Sequence, residues 1–279
     1  MRMPFWAKDG FRVHYEKDGD WQSGQDTLLL IHGLGSSVRD WEYQVPVLAK
    51  HFKVLTLDLR GHGKTDKPNM PYHIALFSED VASFIQENNY APLHVVGHSM
   101  GGMIGFQLTL DHPDLVKTLT IINSAPQVAF PSLRSRFNFT LRAFSVKWFG
   151  MKKLSVSLAK KVFPKPEQAT FRDTFIERWC ENSPQAYINS LQAFHDWNVL
   201  ARLPTLLCPT LVITGDRDYT PVAYKQFYMQ FIKNAELVVI KDSGHLTIID
   251  QAAQCNQAIM DFLFSKRVKN EQGYDAKKC

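Results

Sequence analysis

A serine set among small residues stands at Gly97-His98-Ser99-Met100-Gly101-Gly102, directly after the apolar run Leu93-His94-Val95-Val96 and before a helical pattern from Met103 to Leu110. A serine in a tight strand-to-helix turn has strained backbone angles and projects its hydroxyl above the sheet. Small residues two positions either side keep neighbouring backbone from meeting a Cβ. The helix that follows favours negative charge developing at its N-terminus. The strand and helix on either side argue against an incidental Gly/Ser turn. A serine hydroxyl is a weak nucleophile at neutral pH and needs a base, and the base needs an orienting carboxylate.

Both partners are expected downstream. His245, in Asp242-Ser243-Gly244-His245, follows the last strand-like run, at the carboxyl edge where open α/β sheets bind ligands. The competing reading is a capping or surface histidine before a helix from Leu246 to Phe264. For the carboxylate, Gly215-Asp216-Arg217-Asp218-Tyr219-Thr220-Pro221 offers both Asp216 and Asp218, and the chain order nucleophile, acid, base is satisfied by either. Either acid could instead cap the next helix. Asn123-Ser124, at the end of the preceding strand, holds no acid. Acyl transfer also needs two backbone N–H groups aimed at the developing alkoxide. The glycines of His32-Gly33-Leu34-Gly35 allow close approach of backbone to substrate, so Leu34 and Met100 are expected to donate, with Gly33 and His98 beside them in contact with substrate.

These groups need a scaffold, and the chain reads as one. Near-continuous apolar runs at Thr27–His32, Lys53–Leu59, Leu93–His98, Thr118–Asn123, Thr210–Gly215 and Glu236–Lys241 alternate with helical patterns such as Leu76–Asn89 and Pro221–Lys233. That alternation predicts a mostly parallel sheet covered by helices on both faces. An antiparallel pair is expected before it, from the alternation at Phe11–Tyr15 and the turn-like Lys17-Asp18-Gly19-Asp20.

The rhythm breaks once. Between Asn123 and Thr210 no strand-like run occurs, and residues 126–204 read as short helices separated by Pro131, Pro164, Pro166 and Pro184. The expected division is therefore a core of residues 1–125 and 205–265, a helical cap of residues 126–204, and a polar, frayed tail from 266 to 279. The cap carries 12 Lys or Arg against 5 Asp or Glu, whereas the rest of the chain holds 20 against 22. The net charge of +5 is thus a near-neutral body with a basic lid. The cap also holds 13 of the chain's 34 aromatic residues, suited to lining an apolar pocket. Within it, Met151, Leu154, Leu158 and Val162 form one helical stripe flanked by lysines. The stripe either packs inward, leaving the lysines solvated, or binds an anionic membrane or lipid surface.

The remaining composition is ordinary: 279 residues, 45% hydrophobic and 21% charged, with Gly and Pro dispersed. Disordered and collagen-like classes are unsupported. The first residues lack the apolar middle section of a secretory signal, which predicts a cytoplasmic location. Cys180, Cys208, Cys255 and Cys279 form no CxxC pair, so no metal is expected and the thiols read as buried or incidental. No nucleic-acid motif is present.

Taken together, His32–Gly35, Asp58-Leu59-Arg60-Gly61-His62-Gly63, Gly97–Gly102, Gly215–Pro221 and Gly244-His245 resemble the α/β-hydrolase fold superfamily, in its serine esterase, lactonase and C–C hydrolase branch with a helical cap. The resemblance implies an α/β-hydrolase fold, no cofactor, a triad of Ser99, His245 and Asp218 with Asp216 as fallback, and a structural role for His62. It implies a serine carboxylesterase acting on small to medium acyl esters. The alternatives are a lactone or C–C bond hydrolase on an anionic substrate, a lipase or thioesterase, and a hydrolase-like receptor. Aromatic meta-cleavage enzymes commonly carry Asn before the nucleophile and Trp after the histidine, where this chain has His98 and Leu246. Haloalkane dehalogenases and epoxide hydrolases use an aspartate where Ser99 stands.

Overall fold

A computed structural model describes the backbone of residues 4–8, 10–128 and 133–275, and their side chains except in 133–140 and 267–275. Eight strands, β1 (Phe5–Lys8), β2 (Phe11–Asp18), β3 (Thr27–Ile31), β4 (Lys53–Leu57), β5 (Leu93–His98), β6 (Val116–Ile122), β7 (Thr210–Gly215) and β8 (Ala235–Ile240), form one sheet. Their order is β1-β2-β4-β3-β5-β6-β7-β8. β1 and β2 run antiparallel to their neighbours; β3 through β8 are parallel. The helices are α1 (Val45–Leu48), α2 (Ile74–Glu87), α3 (Met100–Asp111), α4 (Leu133–Val162), α5 (Ala169–Cys180), α6 (Pro184–Gln192), α7 (Val222–Met229), α8 (Thr247–Asp250) and α9 (Ala252–Asp275).

Burial explains the apolar runs. Every residue of β3, β5 and β7 is buried, because each strand has a packed helical layer on both faces. One face packs against α2 and α3 through Phe77, Phe84, Ile104 and Phe106, the other against α9 through Ile259, Phe262 and Leu263. β8, at the edge, is mostly half-buried or exposed. Among the described residues no helix is long and apolar enough to cross a membrane. Cys180, Cys208 and Cys255 are unpaired thiols, Cys180 exposed and Cys255 buried.

Three local expectations differ from the structure. The reversal that pairs β2 lies upstream at Gly10, whose φ of 77° suits glycine. The segment Lys17–Asp20 ends β2 instead, after Tyr15–Asp18 have paired with β4. The helix expected over Leu246–Phe264 is divided at Gln251 (φ −137°), where the Asp250 carboxylate folds back to accept from Ser243 Oγ and the Gly244 N–H, each at 2.7 Å. α9 then continues to Asp275, beyond the expected end at Phe264.

The third difference lies between β6 and β7. α4 is one long helix broken at Gly150 (φ 70°, ψ −178°) and not at a proline. Pro164 and Pro166 separate α4 from α5, and Pro184 sits in the first turn of α6 behind the Ser183 cap; Pro131 lies outside the described residues. The Met151, Leu154 and Val162 stripe packs inward against Phe163, Phe175 and Trp179, while Lys152, Lys153, Lys160 and Lys161 are exposed. The stripe itself offers no surface to a membrane. The exposed apolar groups lie before the break, at Phe144, Trp148 and Phe149.

Candidate active site

The parallel strands end in loops gathered at one edge, and Ser99 stands on the turn from β5 into α3 with φ 54° and ψ −117°. A non-glycine residue holds positive φ only where its surroundings enforce it. The enforcement is visible on both sides. A Cβ on Gly97 would lie 2.3 Å from Gly101 O, and one on Gly101 2.0 Å from Ile31 O, so α3 packs onto β3 and β5 at glycine distance.

His245 reaches Ser99 from the loop after β8. Its Nε2 lies 2.9 Å from Ser99 Oγ, and its Nδ1 lies 2.6 Å from Asp218 Oδ1. With Nδ1–H donating to Asp218, Nε2 is the basic nitrogen that accepts from the serine hydroxyl. Asp216, the other candidate acid, is turned away and accepts from the Ser243 N–H at 3.1 Å. Burial works against ionised Asp218, but the charges and hydrogen bonds of His245 and Lys225 outweigh it and hold the carboxyl well below the usual range. Asp218 is 1% exposed and His245 16%, so the relay is largely shielded from bulk water.

Four residues that sequence reasoning passed over complete the arrangement. Lys225 is fully buried in α7, and its Nζ donates to Asp218 Oδ2 at 2.5 Å, to Thr220 O at 2.7 Å and to Thr220 Oγ1. Asn123 bridges the acid and base loops: Oδ1 accepts from Gly215 N–H at 2.9 Å, while Nδ2 donates to His245 O and to Thr247 Oγ1, each at 2.7 Å. Its φ of 47° is one that asparagine tolerates, and a polar side chain at the carboxyl end of a central strand was a usable signal. Tyr219 stacks on the His245 ring with centroids 4.3 Å apart. Arg142 of α4 reaches the same cavity as Ser99.

The expected substrate contacts come out differently from one another. Gly33 lines a cavity of about 50 Å³ with Ser99, Leu158, Val162, Phe175 and Trp179, and a Cβ there would sit 3.2 Å from Ser99 Cβ. His98 also borders that cavity, but it is only 2% exposed and its Nε2–H donates to His245 O at 2.8 Å. Its bond is to the chain that carries the base. Burial and the neighbouring His245 charge push His98 down to about 3, so it remains a neutral donor. The Met100 N–H lies in the first turn of α3, where no intrahelical acceptor exists, and Leu34, on the loop after β3, lines the cavity with Ser99. That loop is braced by His32, whose Nδ1–H donates to Gly33 O at 2.8 Å while Nε2 accepts from Leu59 N–H at 3.0 Å. His62 is buried, donates to Arg60 O at 2.9 Å, and is pushed down to about 3, chiefly by burial.

A second cavity, about 220 Å³, opens on the other side of Ser99 and His245, between Met103, Gln127, Arg142 and Phe194. Ser99 thus faces two chambers. Among the described residues no three His, Cys, Asp or Glu side chains converge to hold a metal ion.

Residues 26–152 match the family described as alpha/beta hydrolase fold. The chain has the α/β-hydrolase fold. Its structure superposes on an enol-lactonase from Burkholderia xenovorans LB400 with a TM-score of 0.87 at 26% identity, covering 94% of this chain and 100% of that one. The sequence is 28% identical over 250 residues to a 2-hydroxy-6-oxo-6-(2'-aminophenyl)hexa-2,4-dienoic acid hydrolase of Metapseudomonas resinovorans, covering 85% of this chain and 83% of the relative. It is 26% identical over 267 residues to an (E)-2-((N-methylformamido)methylene)succinate hydrolase of Acinetobacter baylyi, covering 90% and 94%. As an α/β-hydrolase with such relatives, the protein is a hydrolase.

Proposed function

We propose that this α/β-hydrolase is a serine carboxylesterase that hydrolyses small to medium carboxylic esters through an acyl-enzyme on Ser99. The observation that carries the reading is the continuous relay from Ser99 Oγ through His245 to Asp218, at 2.9 and 2.6 Å. His245 Nε2 takes the hydroxyl proton as Ser99 Oγ attacks the ester carbonyl, and the oxyanion accepts hydrogen bonds from the Leu34 and Met100 N–H groups. His245 then gives its proton to the departing alkoxide, releasing an alcohol. Water enters, loses a proton to His245 and attacks the acyl carbon. The second tetrahedral intermediate collapses, the acid leaves, and the proton returns to Ser99 Oγ. Asp218 stays ionised throughout and stabilises the imidazolium.

The size of the larger cavity, about 220 Å³, supports a compact substrate, since pockets for drug-sized ligands run to roughly 300–1,000 Å³. The likeness to an enol-lactonase favours one second reading, in which the ester is a lactone. Ring opening uses the same residues and leaves the acid and alcohol in one product. Hydrolysis of 4-nitrophenyl esters of graded chain length tests the proposal, with activity expected at short to medium chains and labelling by a fluorophosphonate expected only while Ser99 is present. Loss of neither in Ser99→Ala, or no hydrolysis of any ester by the wild type, overturns it.

A further inference from the structure

Cations of the helical insertion other than Arg142 illustrate how the fold places such groups. Arg178 Nη2 pairs with Glu42 at 2.7 Å, Arg202 with Asp111 at 2.7 Å, and Lys165 with Asp242. Arg172 donates to the carbonyls of Phe163 and Lys165 at 2.8 and 2.6 Å. Each ties the insertion together or fastens it to the sheet domain.

Among the described residues Arg142 has none of these partners. Its Nε is buried and without a hydrogen-bond partner among the described residues. Its guanidinium lies against the rings of Tyr187 and Trp179, 5.4 and 5.9 Å from their centroids, which fixes the plane without neutralising the charge. The neighbouring stretch Ala129–Thr140 contains no Asp or Glu, so it supplies no carboxylate either. Asp218 borders the same cavity, but its two oxygens are engaged by His245 and Lys225. Among the described residues, therefore, a cation stands in the wall of the larger cavity, beside Ser99, with no carboxylate paired to it. Burying a charge in such surroundings is costly unless a partner arrives. A planar fork of N–H donors is matched best by a carboxylate.

We propose that Arg142 is the carboxylate-binding residue of the site, and that the ester hydrolysed here carries a second, free carboxylate on the portion that fills the larger cavity. This rests on the reading of the site as an ester hydrolase and names its substrate class. The apolar lining from Val128, Met103 and Phe194 then covers the carbon chain between the scissile carbonyl and the carboxylate. Long-range attraction acts in the same direction, since the insertion carries 12 basic against 5 acidic residues.

The test compares acid and neutral esters of matched size. Mono-(4-nitrophenyl) glutarate is set against 4-nitrophenyl pentanoate, and 3-acetoxybenzoate against phenyl acetate, so that the carboxylate is carried once on the acyl side and once on the alcohol side. The wild type is expected to favour the acid of one pair by about 10- to 100-fold in kcat/KM, the scale of one desolvated charge-assisted contact. Arg142→Met is expected to bring that ratio to one or below, and Arg142→Lys to retain part of it. Equal loss on both members of a pair, or no acid preference in either pair, overturns the proposal. Calorimetric titration with glutarate and with benzoate separates this inference from the ester reading, because it needs no turnover. Binding of either that weakens at least about tenfold in Arg142→Met upholds the anion site even if no ester is cleaved. Active esterase without such binding or preference removes the site and leaves the ester reading standing.

Discussion

The carboxyl edge of the sheet and the helical insertion both face Ser99, but they hold their polar groups in opposite ways. On the sheet side, Asn123, Asp218, Lys225 and His98 each bond residues of the acid or base loop, with several contacts between 2.5 and 2.9 Å. On the insertion side the wall is Leu158, Val162, Phe175 and Trp179, with the cation Arg142, whose Nε has no hydrogen-bond partner among the described residues. The reacting atoms are thus set by loops whose bonds are already made before substrate arrives, the condition under which electrostatic stabilisation costs least reorganisation. Selection is left to a surface with few bonds to satisfy, which can change shape or composition without moving the serine.

The sheet-side half of this contrast breaks most severely at the carboxylate. Asp218→Asn is expected to lower kcat for 4-nitrophenyl acetate by about 10⁴, because the amide leaves the imidazole in the wrong tautomer. Asp216→Asn, two residues away, is expected to change it by less than about threefold, since Asp216 accepts from the Ser243 N–H and pairs with Arg217, outside the relay. Comparable losses from the two would mean that the loop, and not the relay, carries the effect. Asn123→Ala comes next. It removes the bridge between the loops after β7 and β8, and is expected to cost about 2–4 kcal/mol in urea unfolding and about 10- to 100-fold in kcat.

Lys225 sharpens the same contrast through pH. Its buried ammonium faces the Asp218 carboxylate and, through it, His245, so it opposes the imidazolium. Lys225→Met removes a charge-assisted hydrogen bond from the Asp218 carboxylate that orients His245, and is expected to lower kcat by about tenfold. Stability has its own sign. The Asp218 carboxyl is held lower in the folded chain than in the unfolded one, so its contribution is present above the ordinary carboxylate range and is lost as pH falls below it. Acid unfolding of the wild type should therefore steepen below about pH 4, and Lys225→Met should flatten that slope.

How much of this was legible in the sequence follows from what each signal depends on. The strands β3 to β7 announce themselves because burial on both faces demands continuous apolar runs, whereas β8 at the edge is apolar but mostly half-buried or exposed. The turn around Ser99 announces itself because Gly97 and Gly101 are required at contact distances below 3 Å. Asn123 stands at the end of a strand, a position that holds no acid, and its four bonds reach residues 92 to 124 positions further along the chain. Lys225 in its helical pattern looks like any solvated lysine; only the packing of α7 against the acid loop makes it a buried partner. The break of α4 falls at Gly150, where nothing lies within 4 Å of a Cβ, so the positive φ and not local crowding is what suits glycine there.

That break gives the smallest expected effect, and it divides one helix into two surfaces. After Gly150, Met151 and Leu154 are 4% and 7% exposed, and Leu154→Ala is expected to cost about 2–4 kcal/mol. Before it, Trp148 and Phe149 are 66% and 56% exposed, so Trp148→Ser with Phe149→Ser is expected to shift stability by less than about 0.5 kcal/mol. The two rings adjoin Lys147, Lys152 and Lys153, and Lys153 Nζ sits 3.7 Å from the Phe149 centroid. Aromatic rings beside lysines suit the interface of an anionic lipid surface. Co-sedimentation with phosphatidylglycerol vesicles is expected to be weak for the wild type and several-fold weaker for the double variant, with phosphatidylcholine vesicles binding neither. Equal sedimentation of the two proteins would show that these exposed rings contribute nothing to lipid contact, and would confine the role of α4 to its inward face.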